Sequence, residues 1–565
     1  MAHTTASPAY AAAPAAGSAF CLALAIGLAL PWLMPIHTAP WTGFHADAAM
    51  AMVCALLAAG LVVRAAGSWP MTPVALCFVF LSAVPPIQFL LGQIPYLADA
   101  WLALAYLLAS AMAIIVGMRF ESLWPDRLVA ALMGSFGLAA IVSLGFAVDQ
   151  WLQLERWSAF VLSVPSGGRP VANVAQPNKL ATLFLWGIVA IWWAHRRGIV
   201  RASLSVFVVA MLLFGVAMTR SRMGMLGGLL CLFVAALYSE PRQKAGTWAT
   251  AIGLAGWLFL CSLSLTSLNA ALQLGAPASM QERLEPGTRL LHWQLVLDAI
   301  SQRPLFGWGW QQVSVAQSAL ASNYPASREV IAYSHNLLLD LLVWNGVPLG
   351  GLVALVIFVW FVRSWRGAKT DSHVALMLAL SVFLLHSMLE MPHGYATFLL
   401  PVGLMMGAVE AIRSRGSPTV LTWQIPRAVV ALILVALVSG LVVTVRDYLR
   451  IEEAWTAERL RRARIGVLDP MPLPQAPTLD HLRAVLINDR IEPHAGMSTD
   501  ELASMRQVSE RLPGVSSLVR LARAQDLNGL SEEASKTLDR LCRTHPRHLC
   551  DAGNEAVRPA SRPQP

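Results

Sequence analysis

Three arginines, two histidines and a glutamate draw attention because each interrupts an otherwise apolar stretch. Arg220 and Arg222 lie in TRSRMG and Arg289 in GTRLLHW. Guanidinium forks match phosphate oxygens two at a time, so this set suits a phosphate-bearing ligand. Taken singly, an arginine at a helix end more often caps it or snorkels to lipid headgroups. His335, in YSHNLLLD, begins an apolar helix straight after a long polar loop. Imidazole placed there would face any site at the membrane surface and is suited to general-base work near neutral pH, although a lone histidine at a helix start is more often a cap or a structural hydrogen-bonder. In HSMLEMPHGY, His386 and Glu390 fall one helical turn apart, and Tyr395 follows a turn at Pro392. That spacing serves a structural pair closing two helices as well as a functional one. Gln176 and Asn178 flank a proline in VAQPNKLA; they could bind sugar hydroxyls, or cap the following helix, which is the commoner use of such residues.

The elements that must position these side chains are membrane helices. Of 565 residues, 56% are hydrophobic and only 13% are charged, with mean hydropathy +0.58; soluble domains carry about 25% charged residues. Apolar runs of roughly 15 to 22 residues recur through the first 445 positions, separated by short stretches rich in Pro, Gly and Arg. A barrel would show alternation instead. Thirteen candidate spans follow: 18–36, 48–63, 74–91, 100–118, 128–148, 180–193, 204–218, 223–237, 248–265, 347–362, 374–389, 395–409 and 428–445. The fold class expected is an all-α polytopic membrane protein with about thirteen transmembrane helices.

Loop charge orients it. With the N-terminus inside, the even-numbered loops carry Arg64; Arg119 and Arg127; Arg196, Arg197 and Arg201; Arg242 and Lys244; Arg363, Arg366 and Lys369; and Arg413, Arg415 and Arg427. All obey the positive-inside rule. Arg156, Arg169, Arg220, Arg222, Arg283, Arg289, Arg303 and Arg328 fall on the opposite face, against that bias, and anionic ligands would explain them. The formal charge of +9 therefore reports topology, and no basic stripe of the nucleic-acid-binding kind occurs.

Residues 1–17 lack Lys and Arg and read as a disordered Ala/Pro leader rather than a cleavable signal. Residues 18–445 form the expected transmembrane catalytic domain, with external loops at 149–179 and 266–346. The second loop holds an amphipathic stretch (290–300), a turn-rich RPLFGWGW and an apolar helix (335–346) that would lie on the bundle or the interface. Residues 446–565 form a charged tail with helix-like stretches near 451–463, 499–512 and 531–543, ending in a disordered segment. Five of seven cysteines lie in spans; Cys542 and Cys550 lie in the tail, on the side where a disulfide is permitted. No P-loop, dinucleotide fingerprint, zinc spacing or nucleophile elbow is present, so neither metal nor cofactor is expected.

Together, QPN before a span, SRMG after one, a Thr-Arg followed by HWQLVLDAISQRPLFGWGW, then YSHNLLLDLLVWNGVPLG and HSMLEMPHGYATFLLPVGLMMG, resemble the O-antigen ligase and polymerase superfamily. The QPN element, the LEMPHGYATFL segment and the long charged tail resemble the bacterial protein O-oligosaccharyltransferases that glycosylate pilins more than the lipid A core ligases. The resemblance implies en bloc transfer of a preassembled glycan from undecaprenyl pyrophosphate to Ser/Thr hydroxyls of periplasmic or pilin-type proteins, at the periplasmic face of the bacterial inner membrane. It implies that Arg222 and Arg289 grip the pyrophosphate, with Arg220 a weaker neighbour. His335 would deprotonate or orient the acceptor hydroxyl, and Gln176, Asn178, Tyr395 and Glu390 would contact glycan or acceptor. Imidazole is a weak base for an alcohol, so orientation would be its main contribution.

Expected partners are the lipid-linked oligosaccharide, an acceptor protein such as a pilin, and membrane lipids, with no nucleic acid. A lipid A core ligase and an O-antigen polymerase differ from this reading in acceptor. A transporter of an anionic solute is the rival from another class; it would need midplane charges and paired repeats, which the spans lack.

Overall fold

The computed structural model describes residues 15–241, 243–274, 288–416, 421–466 and 470–557. Arg242, Arg283, most of the expected leader and the last eight residues of the tail lie outside the described residues.

All thirteen apolar segments coincide with helices. Among the described residues nine are long and apolar enough to cross a membrane: Phe44–Arg64, Pro73–Leu90, Leu97–Leu123, Arg127–Trp151, Ala202–Thr219, Lys244–Ala271, Leu337–Arg366, Ala396–Arg415 and Arg427–Arg462. Ala19–Leu33, Arg222–Leu237 and Asp371–Ser387 are shorter apolar helices. The thirteenth, Pro177–Arg196, runs through the middle of the bundle, buried along most of its length. Its Trp186 packs among Trp32, Phe136 and Phe398 and donates its indole N–H to the Ala379 carbonyl at 2.9 Å, which satisfies the ring's one polar atom in an apolar core.

The tightest helix pair is Leu97–Leu123 against Ala396–Gly416. A Cβ on Gly117 would stand 2.4 Å from the Leu404 carbonyl oxygen, and one on Gly407 would stand 2.1 Å from that of Ile114. Only hydrogen fits at either position. Small residues let membrane helices approach to backbone contact and gain dispersion energy that lipid would otherwise supply.

One expected boundary differs. The apolar helix at 335–346 and the span at 347–362 form a single run, Leu337–Arg366, broken at Gly346, whose φ is 76° and ψ 168°. The turn of RPLFGWGW fills the break. Trp308 N–H donates to the Val343 carbonyl and Val347 N–H to the Pro304 carbonyl, both at 2.7 Å, so the groups released by the kink find partners. A Cβ on Gly346 would meet the Leu305 carbonyl oxygen at 2.3 Å.

The sequence offers no strand signal, yet Trp69–Met71 pairs antiparallel with Trp423–Ile425. This ribbon lies at the end of the bundle reached by Arg64, away from Asp47 at the other end of the same helix. Arg427–Arg462 is a 36-residue helix and passes without interruption through position 446, where the tail was expected to begin. Beyond it, Asp480–Asn488, Thr499–Arg511, Val515–Leu527, Ser531–Thr544 and Arg547–Val557 form the tail, the last four stacked in sequence. Cys542 and Cys550 are joined in a disulfide between the final two helices.

Candidate active site

The site is organised around Glu390. The helix Asp371–Ser387 ends before it, and Pro392 follows two residues later, so the acid leaves the helix although its N–H still bonds the His386 carbonyl at 2.8 Å. The carboxylate is buried, at 4% exposure. Its Oε1 accepts from Asn178 Nδ2 at 2.7 Å and from Arg289. Its Oε2 bonds His335 Nδ1 at 2.9 Å. Four of the expected residues, from four distant parts of the chain, thus meet on one functional group. Burial alone would push this carboxyl up; the hydrogen bond from His335 and the charge of Arg289 outweigh it and hold it below the ordinary value of 4.5.

The backbone presents His335 rather than using it to cap. His335 is left-handed, with φ 58°, and Asn336 is the N-cap, its Oδ1 accepting from Leu338 and Leu339 N–H at 3.0 and 3.2 Å. Ser334 on the other side donates its N–H to Asp340 Oδ1 at 2.7 Å and accepts from the Trp293 indole at 2.9 Å. Both neighbours are fixed, and the imidazole projects between them. A carboxylate on Nδ1 selects the tautomer protonated there and leaves Nε2 for an incoming group.

Arg169, Asn178, Arg220, Arg222, Arg289 and Glu390 line one open cavity. Arg220 is left-handed, with φ 48°, at the sharp turn between Ala202–Thr219 and Arg222–Leu237. Ser221 then caps the second helix through Gly224 N–H at 3.0 Å, so the first residues of that helix face the same cavity. A helix N-terminus beside four guanidinium groups is a site for an anion.

Gln176, Tyr395 and His386 stand elsewhere. Gln176 precedes Pro177–Arg196 in an extended conformation with no side-chain cap bond, and it is not among the residues lining the cavity. Asn178 does not cap either; its amide joins Glu390 and accepts from Arg169 at 3.2 Å. The capping expectation fails for both side chains: Gln176 makes no cap bond, and Asn178 is engaged by Glu390 and Arg169. Tyr395 lies under the Lys179 ammonium, 3.1 Å from ring centroid to Nζ. His386, fully buried, bonds Thr182 at 2.7 Å, so the His386–Glu390 spacing reflects helix closure rather than a contact between the two side chains.

Several groups escape a sequence reading. Arg169 donates to the Thr219 carbonyl at 2.6 Å, tying the 149–179 loop to the Arg220 turn; its only signal is its place among the arginines that break the charge rule. His393 bonds Asp340 at 3.0 Å, which supports the Ser334 backbone. Asp47 accepts from Tyr106 and from Thr397 N–H, both at 2.9 Å. Among the described residues no group of His, Cys, Asp or Glu is arranged to hold a metal ion.

Residues 179–354 match the family model described as O-Antigen ligase, and residues 374–555 match that of the virulence factor membrane-bound polymerase, C-terminal. The first contains Arg222, Arg289 and His335, the second Glu390, so the site straddles both. A general O-oligosaccharyltransferase of Acinetobacter baylyi is 31% identical over 437 residues, covering 76% of this chain and 75% of the relative. The chain belongs to the O-antigen ligase superfamily, among its O-oligosaccharyltransferases. A ComP-specific O-oligosaccharyltransferase of the same organism is 25% identical over 342 residues, covering 60% of this chain and 62% of the relative. Membership accords with a multi-pass helical membrane protein.

Proposed function

We propose that this protein transfers a preassembled oligosaccharide en bloc from undecaprenyl pyrophosphate to Ser or Thr hydroxyls of periplasmic or pilin-type proteins. It would do so at the periplasmic face of the bacterial inner membrane. The observation that carries this reading is the joining of an arginine-lined cavity to His335 through one carboxylate, Glu390. The names of the two relatives support the same reaction class, and the second names a specific protein acceptor.

In this reading the acceptor oxygen attacks the anomeric carbon, forming the new glycosidic bond. The bond from that carbon to the pyrophosphate oxygen breaks, and the pyrophosphate leaves with the electron pair. Arg222 and Arg289, with Arg220 and Arg169 beside them, stabilise charge growing on the leaving group, an electrostatic contribution from donors already in place. His335 Nε2 orients the hydroxyl and takes its proton as the new bond forms. Glu390 holds the imidazole in the tautomer this requires and stabilises its protonated form.

The test is coexpression with a lipid-linked glycan pathway and a candidate pilin, followed by intact mass measurement of the pilin. A glycan-sized increment that disappears in His335→Ala is the expected result. The O-Antigen ligase match over 179–354 favours lipid A core as the second acceptor, and glycan found only on lipid A core would reassign it. No increment on either acceptor would reject the transferase reading.

A further inference from the structure

The tail touches the long external loop at two separated places, and both lie on the segment that connects Arg289 to His335. At the first, Arg511 places Nε and a terminal nitrogen 2.7 and 2.8 Å from the two oxygens of Asp99. Asp99 lies in the first turn of Leu97–Leu123 and also accepts from Gln312 at 3.1 Å. The Arg511 carbonyl accepts from Ser314 at 2.8 Å. At the second, Arg543 donates to the Tyr324 carbonyl at 2.6 Å, and its own carbonyl accepts from Arg328 N–H at 2.7 Å.

From this segment, bonds run in both directions. Gln317 grips the chain leading to His335, accepting from Ile331 N–H at 3.0 Å and donating to the Glu329 carbonyl at 2.8 Å. The Glu329 carboxylate accepts from Thr288 at 2.6 Å, the residue before Arg289. Tyr324 reaches Asp298 at 3.2 Å on the helix Arg289–Gln302. Hence each half of the site is tied, through one or two side chains, to a segment that the tail clamps at both ends.

We propose that the C-terminal helices act as a brace that sets the position of Arg289 and His335, with Arg543 and Arg511 as positioning residues. An acceptor-recruiting appendage would need a free surface; this tail instead anchors itself to the Leu97–Leu123 helix by a buried bidentate ion pair and directs three bonds at the loop that carries the site. Misplacement of reacting groups by an ångström costs about a hundredfold in rate, so a brace of this kind acts on turnover rather than on acceptor affinity.

The experiment uses the full-length protein and two mild variants, Arg543→Met and Ser314→Ala. Amide hydrogen exchange is read at 329–336, and glycan transfer is read as kcat and acceptor KM. The expected result is exchange about fivefold faster at 329–336 in both variants, unchanged exchange in the central helix Pro177–Arg196, and a kcat lowered about tenfold with acceptor KM unchanged. Exchange at 329–336 equal to wild type in both variants would overturn the brace. So would a raised acceptor KM with kcat preserved, which would make the tail a recruiting surface. The kinetic half rests on the transferase reading; if the unmodified protein transfers nothing, that reading fails, and the exchange result alone decides the brace.

Discussion

His335 Nδ1 stands 2.9 Å from Glu390 Oε2, while the other oxygen of the same carboxylate holds Arg289 and Asn178. The group expected to work on the acceptor and a group expected to work on the donor therefore share one buried anion.

Glu390→Gln keeps the shape and removes the charge. Neither Arg289 nor a protonated His335 then has its counter-ion, and kcat should fall about a hundredfold or more, the scale of a charge-assisted acid–base arrangement. Steady-state transfer kinetics in detergent or nanodiscs check this; a variant as fast as wild type would remove Glu390 from the mechanism.

His335→Ala should abolish transfer while the protein still inserts and elutes as a folded species. The φ of 58° at this position makes Gly a second useful variant, since it accepts that backbone freely. If His335→Gly is also inactive, loss of the imidazole rather than backbone strain is the cause.

Arg222→Lys and Arg289→Lys retain charge and lose the planar fork. Donor KM should rise about tenfold for each, because lysine offers a point charge in place of a bidentate contact. Competition by inorganic pyrophosphate gives an independent reading, with weaker inhibition expected in both variants.

Burial opposes ionisation of Glu390, but His335 and Arg289 hold its folded-state value below 4.5. A depressed carboxyl contributes stability that is present above the unfolded value and is lost as pH falls through the lower folded value. The site should thus keep its anion throughout pH 5 to 8. Carboxyl infrared bands compared between wild type and Glu390→Gln should show Glu390 ionised across that window; a protonated-carboxyl band belonging to Glu390 within pH 5 to 8 would contradict this.

Gly407→Ala places a methyl group where the Ile114 carbonyl oxygen already lies, 2.1 Å from the ideal Cβ. Overpacking of this kind costs about 1–3 kcal/mol. Thermal unfolding of the purified protein should shift downward, with Gly60→Ala, where nothing lies within 4 Å, as the neutral control.

Hydropathy located the thirteen apolar segments because lipid imposes its requirement on each separately, and a run such as 128–148 satisfies it without reference to its neighbours, whereas Val313–Leu320 and the tail helices Asp480–Asn488, Val515–Leu527 and Arg547–Val557 gave no such signal. The site obeys no such local rule. Asn178, Arg289, His335 and Glu390 converge only after the bundle has closed, and nothing in QPN tells that Asn178, rather than Gln176, reaches Glu390. The family resemblance pointed to Gln176, and the side chain that reaches Glu390 is that of Asn178. His386 and Glu390 do lie one turn apart, with Glu390 N–H on the His386 carbonyl, but their side chains take different hydrogen-bond partners, Thr182 for His386 and Asn178, Arg289 and His335 for Glu390. Asp340 was hidden for another reason: it serves through the Ser334 backbone, and such a role leaves no spacing to read. The ribbon of Trp69–Met71 with Trp423–Ile425 pairs residues over three hundred positions apart, with three residues on each side, too few for any alternation to register.

That ribbon has a mechanical consequence. Trp423–Ile425 leads directly into Arg427–Arg462, whose 36 residues extend about 54 Å at 1.5 Å each, against a hydrocarbon core of roughly 30 Å. Stitched at its foot to the entrance of the helix at Pro73, this strut is longer than a bilayer crossing requires. The reach from the ribbon to the tail is accordingly set by the length of one unbroken helix.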